Sequence, residues 1–264
     1  MNRYNVCIGV ICIAIASCMN SYAESGNASS HPDQIKWGYG TENGPAVWGQ
    51  LSPEYALCAV GTHQSPIDLV NPTSAALPAI AFNYQPAALN IHNNGHTIKV
   101  AFPKGNWIEV DSTRYELLQF HFHAPSEHTV AGQPFAMEMH FVHQSKDGAL
   151  AVVGVLIERG KSHIAFNPLW AHLPSTPGAA QQIEQVAIDA GDLLPSARAS
   201  YRYDGSLTTP PCSEGVKWFV LTTPIELSEA QIATFAAIIH GNNRPVQPLN
   251  GRQLLVDVPR GAQP

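Results

Sequence analysis

The chain has 264 residues, of which 45% are hydrophobic and 13% are charged, and its formal net charge is −6 at pH 7. This length fits one large domain or two small ones with a sizeable buried core. Because acidic residues outnumber basic ones and no basic cluster is present, the composition disfavours nucleic acid and anionic lipid as partners.

The first 23 residues predict a secretory signal peptide. Arg3 precedes an apolar run over residues 6–16, which is too short to span a bilayer as a helix. Ser21 and Ala23 are small residues that provide a cleavage site before Glu24. We therefore expect an exported protein, located in the periplasm.

A second interpretation of the N-terminus remains open. Residues 15–18 resemble a bacterial lipobox, which would leave a lipidated Cys18 and a membrane tether instead of cleavage after Ala23. Secretion beyond the periplasm is a further alternative. Residues 24–33 are small and polar and predict a flexible leader. Residues 34–264 then form a single domain, since no repeat or composition shift interrupts them.

Cysteine usage fits the exported location. Three of the five cysteines lie in or beside the signal segment, and Cys58 and Cys212 remain in the domain. Two distant cysteines in an exported protein favour a disulfide bond. The alternative is a pair of unrelated buried thiols.

The predicted elements are mostly strands separated by scattered proline and glycine, which number 21 and 20. Ser52 and Pro53 open a short helix towards Cys58. The predicted strands then follow in chain order: residues 96–102, 107–111, 116–123, 135–143, 149–158 and 216–222. The fold class is therefore mainly β with short peripheral helices.

A last helix is predicted after residue 227. Ser228 and Gln231 have the spacing of a capping box. An apolar stripe follows and ends before Gly241, formed by Ile232, Phe235 and Ile239.

Polar side chains follow one face of the strand at residues 116–123. Successive residues of a strand alternate between faces, so Gln119, His121 and His123 share one side. The opposite side carries apolar residues: Leu118, Phe120 and Phe122. The next strand repeats this arrangement, with Glu138, His140 and Val142 on one side and Met137, Met139 and Phe141 on the other.

Two imidazoles spaced i, i+2 and a third from a neighbouring strand can form one triangular face of a tetrahedral metal site. Three protein ligands with an open fourth position is the catalytic arrangement. Gln119 and Glu138 are placed to orient the ligands. The alternatives are histidines hydrogen-bonded to their neighbours, or a site for iron or copper instead of zinc.

The stretch from Gln119 to His128, QFHFHAPSEH, resembles the signature of α-carbonic anhydrases in the short form of bacterial members. Six further stretches match that family in order: Trp37–Gly40, Gln64–Ile67, Asn93–His96, Glu138–His140, Gly205–Cys212 and Asn243–Leu249. The resemblance implies one domain around a twisted, mostly antiparallel sheet of about ten strands. It also implies an enzyme that converts carbon dioxide into bicarbonate and a proton by attack of zinc-bound hydroxide.

The resemblance also implies roles for individual residues. His121, His123 and His140 match the zinc ligands, and His96 matches the proton shuttle. Thr208 matches the threonine that accepts a hydrogen bond from the hydroxide. Glu127 matches the carboxylate that accepts the hydrogen bond donated by that threonine's hydroxyl. The substrate pocket matches Val142, Val152, Leu207, Thr209, Val216 and Trp218, and the bridging cysteines match Cys58 and Cys212. His128 and His143 belong to matching stretches but are not assigned to the metal, and His143 falls on the face opposite His140.

Lys99 departs from the family pattern, since many relatives have a neutral amide at this place in the cleft. A cation there would alter proton relay or anion affinity, or would extend out of the cleft. Two competing functions are a non-catalytic binding module of the same fold and a cupin-like oxygenase. The retained ligands, Thr208 and Glu127 argue against the binding module. The oxygenase would require a glutamate ligand and would leave the match at residues 208–211 unexplained. Bacterial relatives are often dimers, so a homodimer is expected by analogy.

Overall fold

The computed structural model describes residues 36–257. The predicted signal peptide, the lipobox with Cys18 and the leader at 24–33 lie outside the described residues. Between residues 36 and 257, no helix has both the length and the apolar character needed to cross a membrane.

The described chain is mainly β, as predicted. The helices are α1 (Trp48–Leu51), α2 (Leu57–Val60), α3 (Asn167–Trp170) and α4 (Glu229–Ala236), with 3₁₀ turns at Pro53–Tyr55, Ile164–Phe166 and Ala190–Leu193. The first strands are β1 (Asp68–Leu69), β2 (Thr73–Ala75), β3 (Ala81–Asn83), β4 (Ala87–Asn93), β5 (Ile98–Ala101), β6 (Trp107–Val110) and β7 (Thr113–His123). The remaining strands are β8 (Thr129–Val130), β9 (Gln133–Pro134), β10 (Met137–Ser145), β11 (Leu150–Arg159), β12 (Gln181–Ile188), β13 (Ser200–Ser206), β14 (Glu214–Leu227) and β15 (Leu255–Asp257).

Twelve strands form one large twisted sheet, in the order β12-β4-β5-β7-β10-β11-β14-β13-β15-β2 with β6 beside β7 and β3 beside β6. Its strand pairs are antiparallel except β11 with β14 and β15 with β2. The predicted mostly antiparallel sheet is therefore confirmed, and it contains two parallel pairs. A small second sheet joins β1, β8 and β9.

All six predicted strands are present, with boundaries that differ by a few residues. Strand β7 contains an irregularity that the alternation pattern did not reveal. Val142 of β10 pairs with Gln119 of β7, but the next residue of β10, His143, pairs with Leu117. Leu118 therefore has no partner on β10. An extra residue in one strand is a β-bulge, and it reverses which face the following residues occupy.

The bulge places residues on both sides of it in the same core. Leu117 and Phe120 are both buried in the main hydrophobic cluster, although they are three residues apart. Leu118 is 41% exposed. The prediction that Leu118 shares the apolar face of Phe120 and Phe122 is therefore wrong, because Leu118 is the extra residue of the bulge.

The predicted capping box of α4 is confirmed. The Ser228 hydroxyl accepts from the Gln231 backbone N–H at 3.2 Å, and the Gln231 side chain accepts from the Ser228 N–H at 3.1 Å. The helix ends at Ala236, earlier than the apolar stripe suggests. Ile239 lies beyond it but is still buried in the main core.

A disulfide joins Cys58 at α2 to Cys212 in the loop between β13 and β14, across 154 residues of sequence. Cys212 is fully buried, and both cysteines pack against Trp48. The prediction of a disulfide is confirmed, and the alternative of two separate thiols is wrong.

Candidate metal centre and active site

The three predicted histidine ligands converge on one point of the sheet. His121 on β7 is the register partner of His140 on β10, and His123 follows two residues further along β7. One nitrogen from each ring lies within 4.8 Å of the others. Alternation along β7 and the antiparallel pairing with β10 therefore bring together the imidazoles that the sequence pattern selected.

Two of the rings are oriented by the predicted acceptors. Gln119 Oε1 lies 2.9 Å from His121 Nδ1, and Glu138 Oε1 lies 2.8 Å from His140 Nε2. An acceptor at one ring nitrogen holds the N–H there, so the other nitrogen keeps its lone pair. His121 Nε2 and His140 Nδ1 are therefore the nitrogens whose lone pairs are available to a metal ion.

The third ring is oriented by a residue that sequence reasoning missed. The backbone carbonyl of Asn242 accepts from His123 Nδ1 at 2.7 Å. The Asn242 side chain also binds three backbone groups: it accepts from Ala124 N–H and donates to the carbonyls of Phe122 and His96. A backbone carbonyl more than a hundred residues away in sequence leaves no side-chain signature that a motif could reveal.

The remaining nitrogen of His123 tests whether the cluster fits a metal. His123 Nε2 is buried and has no hydrogen-bond partner among the described residues. A buried polar atom left unpaired costs free energy, and an ion or a water molecule at that point would remove the cost. With three lone pairs aimed at one volume, a metal ion bound by nitrogen ligands fits this cluster.

The rings are held neutral, as metal ligands must be. Burial lowers the pKa of His123 to about 4. Burial, with the nearby His123 and His140, also holds the pKa of His121 well below its usual range. Burial lowers the pKa of His140 as well, although the Glu138 carboxylate opposes the shift. Neutral imidazoles offer lone pairs to a cation without first losing a proton.

A second group of titratable residues adjoins the site but is internally satisfied. His128 Nδ1 lies 2.7 Å from Glu138 Oε1, and its Nε2 lies 2.7 Å from the hydroxyl of Tyr203. The Glu138 Oε2 accepts from the backbone N–H groups of Glu127 and His128. Both ring nitrogens of His128 therefore have hydrogen-bond partners, although His128, Glu138 and His140 also lie close enough together to hold a metal ion.

Glu138 is held ionised despite its complete burial. Burial raises the pKa of this carboxyl, but His128 and His140 outweigh that effect and hold it well below its usual range. An ionised carboxylate is the stronger acceptor for the N–H of a ligating imidazole. Glu138 therefore fixes the orientation of His140 while His128 and the backbone satisfy its other lone pairs.

Glu127 and Thr208 lie together beside the histidines. The Oε1 of Glu127 accepts from the backbone N–H of Arg244 at 2.8 Å and lies 3.5 Å from His123 Nδ1. Its Oε2 is buried without a hydrogen-bond partner among the described residues. Burial raises the pKa of Glu127 to about 7, while His140 and the neighbouring Thr208 side chain oppose the rise. Thr208 itself is 6% exposed.

The predicted apolar pocket residues belong to one hydrophobic cluster, separate from the main core. Trp218 lies against the three histidines, with its ring centroid 4.9 Å from that of His140. Its indole N–H donates to the carbonyl of Ser206 at 3.0 Å, so its polar atom is satisfied away from the cleft. The cluster includes the other predicted wall residues Val142, Val152, Leu207 and Val216. Thr209 lies in the adjoining loop, where its carbonyl accepts from Cys212 N–H.

The predicted shuttle His96 lies in the turn between β4 and β5. Its ring stacks on Trp37 with centroids 3.8 Å apart and planes inclined by 9°. Burial lowers its pKa. Lys99, two strands from His140, is the register partner of His121 and contributes to lowering the pKa of that ring.

His143 is the histidine that the face argument excluded, and it lies in the main core. It is fully buried, and its Nε2 lies 2.7 Å from the hydroxyl of Tyr84. Burial lowers its pKa to about 3. His143 therefore lies on the face opposite His140, as the alternation along β10 predicted.

Three neutral imidazoles, two of them buried and that of His121 partly exposed, define a candidate catalytic metal centre on a mainly β protein with a mostly antiparallel sheet. The family model for eukaryotic-type carbonic anhydrases matches residues 43–258 of this chain. A carbonic anhydrase of Nostoc sp. is 43% identical over 257 residues, covering 94% of this chain and 93% of the relative. A carbonic anhydrase of Neisseria gonorrhoeae is 43% identical over 231 residues, covering 87% of this chain and 91% of the relative.

Solved structures agree with the sequence relatives. The α-carbonic anhydrase of Thermovibrio ammonificans, solved with the inhibitor sulfanilamide, is 46% identical with a TM-score of 0.81, covering 84% of this chain and 99% of that one. Dioscorin, solved with ascorbate, is 31% identical with a TM-score of 0.78, covering 84% of this chain and 97% of dioscorin. The chain belongs to the α-carbonic anhydrase family and is an enzyme of that class, acting on carbon dioxide and bicarbonate.

Proposed function

We propose that the enzyme hydrates carbon dioxide reversibly with a zinc ion held by His121, His123 and His140. The observation that carries this proposal is the unpaired, buried Nε2 of His123 facing the free nitrogens of the other two rings. Zinc takes three nitrogen ligands and an open fourth position in catalytic sites. When bound, it supplies a Lewis acid that makes a water-derived nucleophile available at neutral pH.

The chain's own residues position that nucleophile. We propose that the Thr208 hydroxyl donates to Glu127 Oε2, which lies 3.8 Å from His140 Nδ1 and accepts no other hydrogen bond among the described residues. A divalent cation nearby favours the ionised form of the Glu127 carboxyl, which then only accepts. With its proton committed to Glu127, Thr208 Oγ1 accepts from the nucleophile and orients it towards the substrate carbon.

The apolar wall holds the substrate and excludes water. Carbon dioxide has no net dipole, so hydrocarbon surface accommodates it without leaving polar groups unpaired. Val152, Val216 and Trp218 are almost fully buried in the hydrophobic cluster that contains the predicted pocket residues. The proton released by hydration then moves through cleft water to an imidazole nitrogen of His96, which passes it to the solvent.

We also propose that the enzyme is exported to the periplasm. The Cys58–Cys212 disulfide supports this location, because such bonds persist in oxidising compartments. The predicted signal peptide is the second support. Intact-mass measurement of the mature protein distinguishes cleavage before Glu24 from lipidation at Cys18.

Replacing Thr208 with alanine is expected to lower kcat/KM for carbon dioxide by about 10²-fold, the typical effect of removing one orienting group from a catalytic site. Thr208→Ser keeps the hydroxyl and is expected to retain most of the activity. Stopped-flow hydration assays on both variants, with zinc content measured in parallel, test the role. A Thr208→Ala enzyme as active as wild type would contradict it.

Replacing Lys99 with glutamine is expected to increase buffer-independent turnover a few-fold. The Lys99 ammonium lies beside His121 in the sheet, where a positive charge opposes the movement of a proton away from the site. A solvent-screened charge contributes less than about 1 kcal/mol. Turnover measured against buffer concentration between pH 6 and 9 tests this, with Lys99→Arg as the charge-preserving control. Unchanged proton-transfer kinetics in Lys99→Gln would show that the ammonium has no part in the relay.

A further inference from the structure

A row of basic side chains crosses four adjacent strands on the cleft side of the sheet. His140 on β10 is opposite His121 on β7, His121 is opposite Lys99 on β5, and Lys99 is opposite His92 on β4. The row therefore leads from two candidate metal ligands to an imidazole that the mechanism above does not use.

His92 faces the cleft and not the core. Residues directly opposite each other in paired strands project to the same side of the sheet. The neighbours of His92 and Lys99 on the other face, Ile91 and Ile98, are fully buried in the main core. His92 and Lys99 are only half-buried. The cleft side of β4 and β5 therefore presents both side chains to water.

His92 lies within reach of the metal cluster through solvent. Adjacent strands are about 4.8 Å apart, so the Cα atoms of His92 and His121 are separated by about 10 Å. The two side chains shorten this gap to a distance that a short chain of water molecules can bridge. Imidazole is the side chain that gains and loses protons near neutral pH.

The residues opposite and beside His92 in the sheet are basic or neutral. Lys99 faces it from β5, with His121 beyond. On the other side β12 presents the neutral Gln182 to the same face, opposite Asn90. These register neighbours include no carboxylate that could form an ion pair with the His92 ring. His96, the other cleft imidazole, is by contrast stacked on Trp37.

We propose that His92 is a second proton-exchange group of the cleft, working in parallel with His96. The proposal rests on the hydration function proposed above. The proton released when water and carbon dioxide form bicarbonate passes through cleft water to an imidazole nitrogen of His92. It then leaves to a buffer base, and the ring returns to its neutral form without any other change.

The test compares wild type, His92→Gln, His96→Ala and the double variant, all loaded with zinc. In weak buffer we expect kcat of the double variant to fall about tenfold below that of His96→Ala, at the low end of what a positioned proton-transfer group contributes. The kcat/KM for carbon dioxide stays unchanged, because proton release follows the hydration step. Added imidazole buffer restores kcat. His63→Ala removes an exposed imidazole beside Glu214 and is the control that leaves kcat unchanged.

Two outcomes separate the proposals. If wild type is active and zinc-dependent but the double variant has the same kcat as His96→Ala in weak buffer, the role of His92 is wrong and the hydration function stands. If wild type hydrates carbon dioxide equally well without metal, the proposed function itself is wrong. A fall in kcat/KM together with kcat, not rescued by imidazole, would assign His92 a structural role and also overturn the proposal.

Discussion

Replacing His123 with alanine is expected to abolish tight zinc binding and, with it, hydration of carbon dioxide. His123 is buried, is oriented by the Asn242 carbonyl at 2.7 Å, and has a free Nε2. Loss of an outer acceptor typically lowers metal affinity by about 10–100-fold, and loss of a ligand itself is expected to cost more. Zinc affinity measured by competition with a chromogenic chelator tests this directly.

Gln119→Ala is the matched control for this variant. It removes the acceptor of His121 Nδ1 but leaves all three imidazoles in place. We expect it to bind zinc more weakly than wild type but much more tightly than His123→Ala. Wild-type zinc affinity in His123→Ala would show that the three histidines are not the metal ligands.

Removing the disulfide by the double substitution Cys58→Ser and Cys212→Ser is expected to cost about 5 kcal/mol of unfolding free energy in the chain-entropy model. The bond closes a loop of 154 residues, which strongly restricts the unfolded chain. Because whole domains are stable by only about 5–15 kcal/mol, this loss is expected to leave the protein marginally folded. Urea unfolding of both proteins, with slopes compared to detect changes in the unfolded state, provides the measurement.

The disulfide also supports the active site. Cys212 N–H donates to the Thr209 carbonyl at 2.9 Å in the loop that carries Thr208. The Arg244 guanidinium donates to the Cys58 carbonyl at 2.9 Å, and the Arg244 backbone N–H donates to Glu127. The folded double variant is therefore expected to have a lower kcat/KM than wild type at saturating zinc.

Equal unfolding free energies of the double variant and wild type would contradict the stabilising role of the disulfide.

The candidate site was largely predictable from the sequence, because its three histidines lie on the stretches of β7 and β10 where the alternation is undisturbed. His121, His123 and His140 share a face only if β7 and β10 are paired and in register, and they are. The supports Gln119 and Glu138 follow from the same alternation. Asn242 was not predictable, since it acts on His123 through a backbone carbonyl from a distant loop.

Parts of the fold were also outside the reach of pattern reasoning. The bulge at Leu118 reverses the faces of β7, and an inserted residue has no compositional mark. Strand β12 shows no clean alternation, because most of its side chains are exposed at the sheet edge. The capping box at Ser228 was predictable because its contacts are local.

Stopped-flow hydration of carbon dioxide by the purified protein, before and after zinc removal and after zinc is restored, tests the central claim most directly. The three-histidine centre predicts high activity that disappears with the metal and returns when zinc is added back. Activity that is indifferent to metal removal would contradict a mechanism built on His121, His123 and His140.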